Sequence, residues 1–405
     1  MSPDPRPVPI LRIPFSDDDR GFIHTELDGV LDGGILSMGS RTKAFEEGFA
    51  SLVGTDHCVA TSNGTSALEL ILRALGIRDK SVVVPTNTFF ATALAVINSG
   101  NRVVFADSDP TTMCLDPADL SKRIRDDTAA VILVHIGGVV TPALAEIESL
   151  CDSSGLSLIE DCAHAHGSEV QARAAGSFGV AGAFSFFPTK VLTTGEGGAI
   201  TTDDTELYGR AMVLRNQGKV PALDNRIGEL GNNYRMSEIT AVLGLEQIRK
   251  APRVIEERRG IATMYDELLA DVAGIEPITL SEGTESGYYK YIAFLDDGID
   301  RAALKQRMRE GFQVSLTGEV YADLCHTEPV WERYGYCGRR RPTEGAPCPG
   351  EPDCGCSIPQ ESFPGAEQLA GSHVCLPLYP GLTEEDVVYV VESLGTVLGE
   401  RGATE

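Results

Sequence analysis

Short apolar runs alternate with amphipathic segments along the first 250 residues of the chain. The runs have the length of buried strands, and the segments between them carry apolar residues at helical spacing. The predicted strands are residues 57–60, 82–84, 103–106, 129–136 and 156–159, and the predicted helices are residues 21–36, 43–52, 67–75, 92–98, 115–125 and 142–151. Strands and helices that alternate in this way form a mostly parallel sheet flanked by helices, so we predict an α/β fold.

The pattern changes after residue 215 and indicates a second unit. Residues 216–233 are polar and rich in glycine, as in a loop, and a helix over residues 238–250 follows. A second, basic helix is predicted at residues 253–269. We therefore predict a large domain at residues 1–252, which starts with an irregular Pro-rich segment, and a smaller C-terminal α/β domain at residues 253–405.

Two charged residues follow buried strands and are predicted to share one site. The run at residues 156–159 ends on Glu160 and Asp161, and a second run, at residues 181–187, is followed shortly by Lys190. In α/β sheets, cofactors bind beyond the carboxyl ends of the strands. Asp161 and Lys190 are therefore candidates for the same cavity.

The chemistry of this pair fits pyridoxal 5'-phosphate (PLP). The predicted apolar wall of Phe184, Phe186 and Phe187 favours a neutral amine on Lys190, and a neutral amine can attack an aldehyde. PLP needs such an amine for its Schiff base and an acid beside its ring nitrogen. The alternative is a strand-end cap at Asp161 and a solvated loop lysine at Lys190. The phosphate and ring features described next favour the PLP interpretation.

A turn and an aromatic residue supply these further features. Asn63, Gly64 and Thr65 precede a predicted helix, and the free N–H groups at a helix N-terminus bind anions such as phosphate. The alternative for this turn is a plain helix cap. Phe89 follows the strand that ends at Pro85 and could stack on a flat cofactor, or it could pack on the core as a loop residue.

Composition limits the partners and the compartment. The chain has 405 residues, with 34 basic and 59 acidic side chains and a net charge of −25. This charge disfavours nucleic acid or an anionic membrane as a partner. We find no apolar run near the ~20 residues that a membrane span needs, and the N-terminus lacks the pattern of a signal peptide. We expect a cytoplasmic protein whose ten cysteines are mostly reduced.

Several of these segments also resemble one enzyme family. The chain is similar to the DegT/StrS-type sugar aminotransferases, PLP-dependent enzymes of the aspartate-aminotransferase fold type I. The matching segments are Asn63-Gly64-Thr65, Thr88-Phe89, Val134-His135, Glu160-Asp161, Ser185-Phe186 through Lys190, Gly195-Glu196-Gly197-Gly198 and Asn233-Tyr234-Arg235-Met236. They follow the order of the family over residues 30–250.

The resemblance implies a role for individual residues. Lys190 would be the Schiff-base lysine and general base, and Asp161 would contact the pyridine nitrogen. The other implied cofactor contacts are Phe89 stacked on the ring, His164 beside the phenolic oxygen, Gly64, Thr65 and Ser185 on the phosphate, and Asn233 reaching the phosphate of a neighbouring subunit. Because Asn233 would act across an interface, the resemblance also implies a homodimer with shared active sites.

The resemblance further implies an activity in amino-sugar or natural-product biosynthesis, including antibiotic biosynthesis. The expected reaction moves an amino group from glutamate or glutamine to a ketosugar, with a nucleotide-linked ketosugar as the expected acceptor. The alternatives are an aminocyclitol ketone, a sugar phosphate, or a substrate like that of an aminohydroxybenzoate synthase. An alternative of another class is an idle PLP-binding regulator or partner subunit. A dinucleotide-binding protein is disfavoured because no G-x-G-x-x-G follows an early strand.

Two segments depart from the family pattern. Where the family often has an aromatic residue, Gly and Gln after His135, this chain has residues 136–142, IGGVVTP. Because this loop lies near the acceptor in the family, the resemblance implies a nucleotide-linked acceptor less strongly than it implies transamination. The second segment is a Cys-rich loop at residues 336–360. Its cysteines are weak zinc candidates because they lack paired C-x₂-C spacing, and a loop with reduced thiols is favoured: Cys337, Cys348, Cys354 and Cys356.

Overall fold

The computed structural model describes residues 5–336 and 362–399. The helices of these residues are α1 (Asp17–Gly33), α2 (Ser40–Val53), α3 (Gly64–Ala74), α4 (Phe90–Asn98), α5 (Pro117–Arg123), α6 (Leu144–Ser154), α7 (Thr205–Arg215), α8 (Glu238–Leu269), α9 (Arg301–Phe312), α10 (Pro364–Ser372) and α11 (Glu384–Gly399). The strands are β1 (His57–Thr61), β2 (Ser81–Pro85), β3 (Arg102–Ala106), β4 (Thr128–Val134), β5 (Ser157–Asp161), β6 (Glu169–Val170), β7 (Arg173–Ala174), β8 (Ala181–Ser185), β9 (Gly198–Thr202), β10 (Lys219–Val220), β11 (Arg226–Ile227), β12 (Ile275–Pro277), β13 (Thr284–Glu285), β14 (Tyr291–Leu295) and β15 (His373–Leu376).

A seven-stranded sheet forms the centre of the N-terminal part, in the order β1-β9-β8-β5-β4-β2-β3. All neighbouring pairs are parallel except the two made by β9, which runs antiparallel to both β1 and β8. The prediction of a mostly parallel α/β sheet is confirmed. The valines of β2 are buried on both faces, which explains the continuous apolar run in the sequence.

The order of the strands brings the two predicted site segments together. β5 and β8 are neighbours and run parallel, with Asp161 in register with Ala183. Both strands therefore end at the same edge of the sheet. Asp161 is the last residue of β5, and the chain leaves β8 toward Lys190 from that edge.

A second apolar core lies in the C-terminal part of the chain. It surrounds the antiparallel sheet β12-β14-β15 and includes side chains from the C-terminal half of α8, from α9 and from α11. Some C-terminal residues instead join the first core, among them Tyr289, Trp331 and Phe363. The division of the chain at residue 252 stays a prediction.

Helix α8 runs without interruption across that predicted boundary. The predicted break between helices at residues 238–250 and 253–269 is wrong, because Pro252 lies inside a single helix of 32 residues. Pro252 is exposed, whereas Ala251, Val254 and Ile255 beside it are buried. Burial of this apolar stripe offsets the one backbone hydrogen bond that proline cannot donate.

Three further predictions concern parts of the chain outside the main sheet. Residues 216–233, predicted as a loop, contain a short antiparallel ladder between β10 and β11. No helix in the described ranges is long and apolar enough to cross a membrane. The weak zinc candidates Cys337, Cys348, Cys354 and Cys356 lie outside the described residues.

Candidate active site

A cavity of about 340 Å³ opens at the carboxyl edge of the central sheet. Its walls come from the ends of β5 and β8, the N-terminus of α3, the loop before α4, and two tyrosines of the C-terminal part. Seven of the predicted site residues line it: Gly64, Thr65, Phe89, Asp161, His164, Ser185 and Lys190. The fold therefore places the predicted amine and carboxylate in one cavity.

The Asp161 carboxylate is buried and held by two donors. The Thr92 hydroxyl donates to Oδ2 at 2.7 Å, and the backbone N–H of Ala163 donates to Oδ1 at 3.1 Å. Burial raises the pKa of the Asp161 carboxyl, whereas these two donors and the nearby Lys190 charge lower it. The Thr88 hydroxyl lies 2.9 Å from that of Thr92 and continues the network. The carboxylate is fixed in orientation at the base of the cavity.

Lys190 projects toward an aromatic ring in the same cavity. Its Nζ lies 4.7 Å from the centre of the Tyr289 ring. Burial lowers the pKa of Lys190 from 10.5 to about 8; the Asp161 charge opposes this effect and the Lys290 charge adds to it. The Tyr289 hydroxyl lies 3.1 Å from the Thr189 hydroxyl, which anchors the ring beside the lysine. At pH 7 roughly a tenth of Lys190 is therefore a neutral nucleophile, a much larger share than for an ordinary lysine, and the share reaches half near pH 8.

The N-terminus of α3 forms an anion cradle at one end of the cavity. Asn63 caps the helix, and its side chain accepts the N–H of Ser66 at 2.8 Å. The first N–H groups of a helix have no partner within it, which leaves those at Gly64 and Thr65 for a ligand. A Cβ at residue 64 would lie 2.9 Å from the Cβ of Ser185, so glycine is required for this close approach.

His164 lies between two tyrosines. Its ring stacks on Tyr289 with centroids 4.0 Å apart, and Nε2 lies 3.1 Å from the Tyr321 hydroxyl. The backbone N–H of Gly137 donates to Nδ1 at 3.2 Å. Burial, with smaller effects of the Lys190 and Lys290 charges, lowers the pKa of His164 well below its usual value. The imidazole is therefore neutral, with Nδ1 as an acceptor.

Phe89 and Asn233 are both exposed, but they lie in different places. Phe89 precedes α4 at the cavity wall with 61% of its surface exposed, and its ring centroid lies 6.0 Å from that of Tyr321. Asn233 is not among the residues that line the cavity of its own chain. Of the eight predicted site residues, Asn233 is the one that the fold does not bring to the others.

Among the lining residues that were not predicted as site residues, three contact the predicted ones through hydrogen bonds or rings: Thr92, Tyr289 and Tyr321. Thr92 lies one helical turn after Thr88, and a hydroxyl on the first turn of a helix near a strand end is a signal that could have identified it. Tyr289 and Tyr321 come from the C-terminal part of the chain. No local pattern connects them to Asp161, because only the packing of the two parts brings them close.

The loop that departs from the family pattern does not line the cavity. Ile136, Gly137 and Gly138 are buried, and Gly138 O accepts the hydroxyls of Ser168 and Ser286 at 2.7 and 2.9 Å. A Cβ at residue 137 would lie 2.4 Å from Ile292 Cδ1, so the tight packing requires glycine here. The loop supports His164 from behind.

Glu160, next to Asp161, is buried and has a structural role. The carboxylate accepts the N–H groups of Gly176, Phe178 and Gly179 at 2.7 to 2.9 Å and lies 2.8 Å from His135 Nε2. Cys162 is also close enough to complete a possible metal-ligand group. We assign no metal there, because the backbone donors already occupy both carboxylate oxygens.

Comparison with known proteins identifies the family. The DegT/DnrJ/EryC1/StrS aminotransferase family matches residues 17–344. An L-glutamine:2-deoxy-scyllo-inosose aminotransferase from Streptomyces paromomycinus is 38% identical over 71% of this chain and 74% of its own length. The chain therefore belongs to this family, and it is a PLP-dependent aminotransferase.

Solved structures agree in fold and in cofactor class. The structure of DesI with its TDP-sugar product has a TM-score of 0.84 and 32% identity, covering 98% of this chain and 95% of DesI. NtdA from Bacillus subtilis with bound cofactor PMP has a TM-score of 0.82 and 25% identity, covering 96% of this chain and 85% of NtdA. The expected fold type is confirmed.

The residues of the cavity fit PLP. The cradle at Gly64 and Ser185 suits a phosphate, and the buried carboxylate of Asp161 suits a protonated ring nitrogen. Lys190, with its lowered pKa, suits the aldehyde. The cavity thus holds one group each for the phosphate, the ring nitrogen and the aldehyde of the cofactor.

Proposed function

We propose that this aminotransferase moves an amino group from glutamate or glutamine to a ketosugar carried on a nucleotide. The observation that carries the proposal is the presence of Lys190, Asp161 and the anion cradle in one cavity. PLP, when bound, would supply a ring that acts as an electron sink and an aldehyde carbon that carries the amino group from the donor to a ketone. The protein itself has to bind and orient the cofactor and the substrates, and it has to move protons between them.

Each side chain of the cavity has a proposed role in the reaction. Lys190 Nζ would bind the aldehyde carbon and, once released, carry a proton to and from the donor's α-carbon as general base and acid. Asp161 would keep the ring nitrogen protonated, and its bond to Thr92 would prevent the carboxylate from turning away. Gly64, Thr65 and Ser185 would hold the phosphate, and Phe89 would cover the ring.

Two acceptor classes have support among the similar proteins. DesI, whose structure contains a TDP-sugar product, aligns with nearly the whole chain and favours a nucleotide-linked ketosugar. The 38% identity to the Streptomyces paromomycinus enzyme favours an aminocyclitol ketone as the second candidate. Both are cyclic ketones that need the same machinery at Lys190. The classes differ in what surrounds the ketone.

A direct comparison of acceptors tests the proposal. The purified protein would be loaded with PLP and given glutamate or glutamine, which should remove the visible absorbance of the lysine-bound cofactor. A TDP-linked ketosugar and 2-deoxy-scyllo-inosose would then be compared by kcat/KM. We expect the nucleotide-linked ketone to be preferred. Preference for the inosose would overturn that choice, and absorbance unchanged by either donor would indicate an idle PLP-binding protein.

We also propose that two chains share each active site. In the described part of the chain, the phosphate cradle has no lysine or arginine among its lining residues except Lys190, which faces Tyr289. Asn233 is exposed and outside its own cavity, as a residue that serves a neighbour would be. Exposed apolar side chains near it, Ile227 and Leu230, suit burial against a second copy.

A further inference from the structure

The two hydrogen bonds of His164 determine where its single proton lies. The backbone N–H of Gly137 can only donate, so Nδ1 must accept and carries no hydrogen. A neutral imidazole has one N–H, which is then on Nε2. Nε2 lies 3.1 Å from the Tyr321 hydroxyl oxygen, so the His164 N–H donates to Tyr321. No hydrogen remains on His164 for a ligand.

The direction of this bond leaves the hydrogen of Tyr321 free for another acceptor. Among residues 5–336 and 362–399, His164 is the hydrogen-bond partner of the Tyr321 hydroxyl. Tyr321 lines the cavity beside Phe89, and its backbone N–H is held by Asn87 Oδ1 at 2.9 Å. Tyr321 therefore brings to the cavity a hydroxyl whose hydrogen no described residue accepts; His164 orients the hydroxyl, and Asn87 holds the backbone.

We propose that the Tyr321 hydroxyl donates a hydrogen bond to the phenolic oxygen of PLP, and that His164 is a positioning residue that orients this hydroxyl. The inference rests on the proposed roles of Lys190 and Asp161, which fix the two ends of the ring. The resemblance to the family implies that His164 itself stands beside that oxygen. The proton count of His164 gives the donor role to Tyr321 instead.

The environment keeps both side chains in the states that this arrangement needs. Burial raises the pKa of Tyr321 well above its usual value, so the hydroxyl stays protonated over the working range of pH. His164 is only 4% exposed and stacks on Tyr289, which prevents the ring from turning over. A donor held in this way stabilises negative charge on the phenolic oxygen.

Spectroscopic titration of Tyr321→Phe tests the donor. Loss of the hydrogen bond makes the phenolic oxygen more basic, so the neighbouring lysine nitrogen holds its proton more tightly. We expect the pKa of the visible absorbance of PLP-loaded protein to rise by about one unit, and the PLP dissociation constant of the apo-protein to rise about tenfold. Tyr334→Phe, an exposed tyrosine outside the cavity, is the control that should change neither value. An unchanged pKa and dissociation constant in Tyr321→Phe would overturn the proposal.

Two substitutions at residue 164 test the positioning role. His164→Gln keeps an acceptor for Gly137 and a donor for Tyr321, so it should preserve the pKa of the wild-type protein. His164→Leu removes both and should shift the pKa in the same direction as Tyr321→Phe. If His164→Leu shifts the pKa and Tyr321→Phe does not, His164 contacts the phenolic oxygen itself and the inference fails. Circular dichroism would confirm that each variant is folded.

The same titration separates this inference from the proposed function. If the wild-type protein forms no lysine-bound absorbance with PLP, the role of Lys190 is wrong. If the absorbance forms and titrates equally in the wild type and in Tyr321→Phe, the role of Lys190 stands and only the assignment of Tyr321 is wrong.

Discussion

The reactivity of Lys190 depends on the residues around it. Burial, assisted by the Lys290 charge, lowers the pKa of Lys190 to about 8, and an amine attacks an aldehyde only in its neutral form. The rate at which apo-protein captures PLP should therefore rise with pH and level off above about 8. Stopped-flow absorbance after mixing with PLP measures this rate. A rate that keeps rising toward pH 10.5, the ordinary lysine value, would contradict the prediction.

Lys290 offers a matched test of the same electrostatic argument. Its charge is one of the groups that lower the pKa of Lys190, and its Nζ lies 5.2 Å from the centre of the same Tyr289 ring. Lys290→Ala should shift the capture profile to higher pH and still allow PLP to bind to Lys190. Lys190→Ala should abolish capture and transamination while the protein remains folded. Retention of transamination by Lys190→Ala would refute its assignment.

Because Gly64 has no side chain, the start of α3 can approach Ser185 closely and form the phosphate cradle. A methyl group at this position would lie 2.9 Å from Ser185 Cβ and 3.3 Å from the carbonyl oxygen of Phe184. Gly64→Ala should push the start of α3 away from Ser185 and weaken PLP binding to the apo-protein by about tenfold or more. Gly21→Ala, with open space around its Cβ, is the control. Equal PLP affinity in the two variants would show that the cradle does not hold the phosphate.

At this scale, the sequence alone predicted the cavity residues that directly follow strands. Asp161 and the Lys190 segment leave adjacent parallel strands, so their meeting follows from topology. Tyr289 and Tyr321 could not be predicted, since they reach the cavity through packing between distant segments. Thr92 begins the helix predicted at residues 92–98, but its bond to Asp161 depends on a rotamer that the sequence does not determine.

At the scale of elements, Glu160 fixes the loop from Gly176 to Gly179 against the end of β5. Glu160→Gln would place an amide NH₂ against donors that now meet a carboxylate, so at least one buried N–H would lose its acceptor. We expect the free energy of unfolding to fall by about 3 kcal/mol. Chemical denaturation measures the change. Glu148→Gln, which weakens only a partly exposed contact with Arg173, should change it by less than about 0.5 kcal/mol.

A loss of unfolding free energy in Glu160→Gln no larger than in Glu148→Gln would show that Glu160 is not needed to hold the loop.

The helices show where prediction from sequence patterns succeeds and where it fails. The predicted break between residues 250 and 253 is wrong, because tertiary burial on both sides of Pro252 outweighs the local penalty of a proline within a helix. The helix start near Asn63 was predictable, since cap residues act locally.

At the scale of the whole molecule, the shared active site can be tested by mixing two defective chains. Lys190→Ala and Asn233→Ala should each be inactive at low PLP, the second because it cannot hold the phosphate of its neighbour. A mixed dimer has one site with both residues intact. In a two-fold dimer, random exchange should therefore restore about a quarter of wild-type activity. Activity is assayed after co-refolding the two variants.

Two outcomes would contradict the shared site. Full PLP affinity in Asn233→Ala would remove the reason for the residue to cross an interface. Absence of restored activity, although co-purification of two differently tagged chains shows mixed dimers, would indicate that Asn233 acts in the active site of its own chain. Lys190→Ala mixed with Lys190→Ala is the baseline for the assay.

The contribution of Tyr289 and Tyr321 to the cavity has a consequence for synthesis of the protein. A ribosome releases Asp161 and Lys190 more than a hundred residues before Tyr321. Until the later segment emerges and packs, the nascent chain has a lysine and a carboxylate without the ring wall that makes the amine reactive. Coenzyme loading therefore becomes a late step that requires synthesis of the chain at least as far as Tyr321.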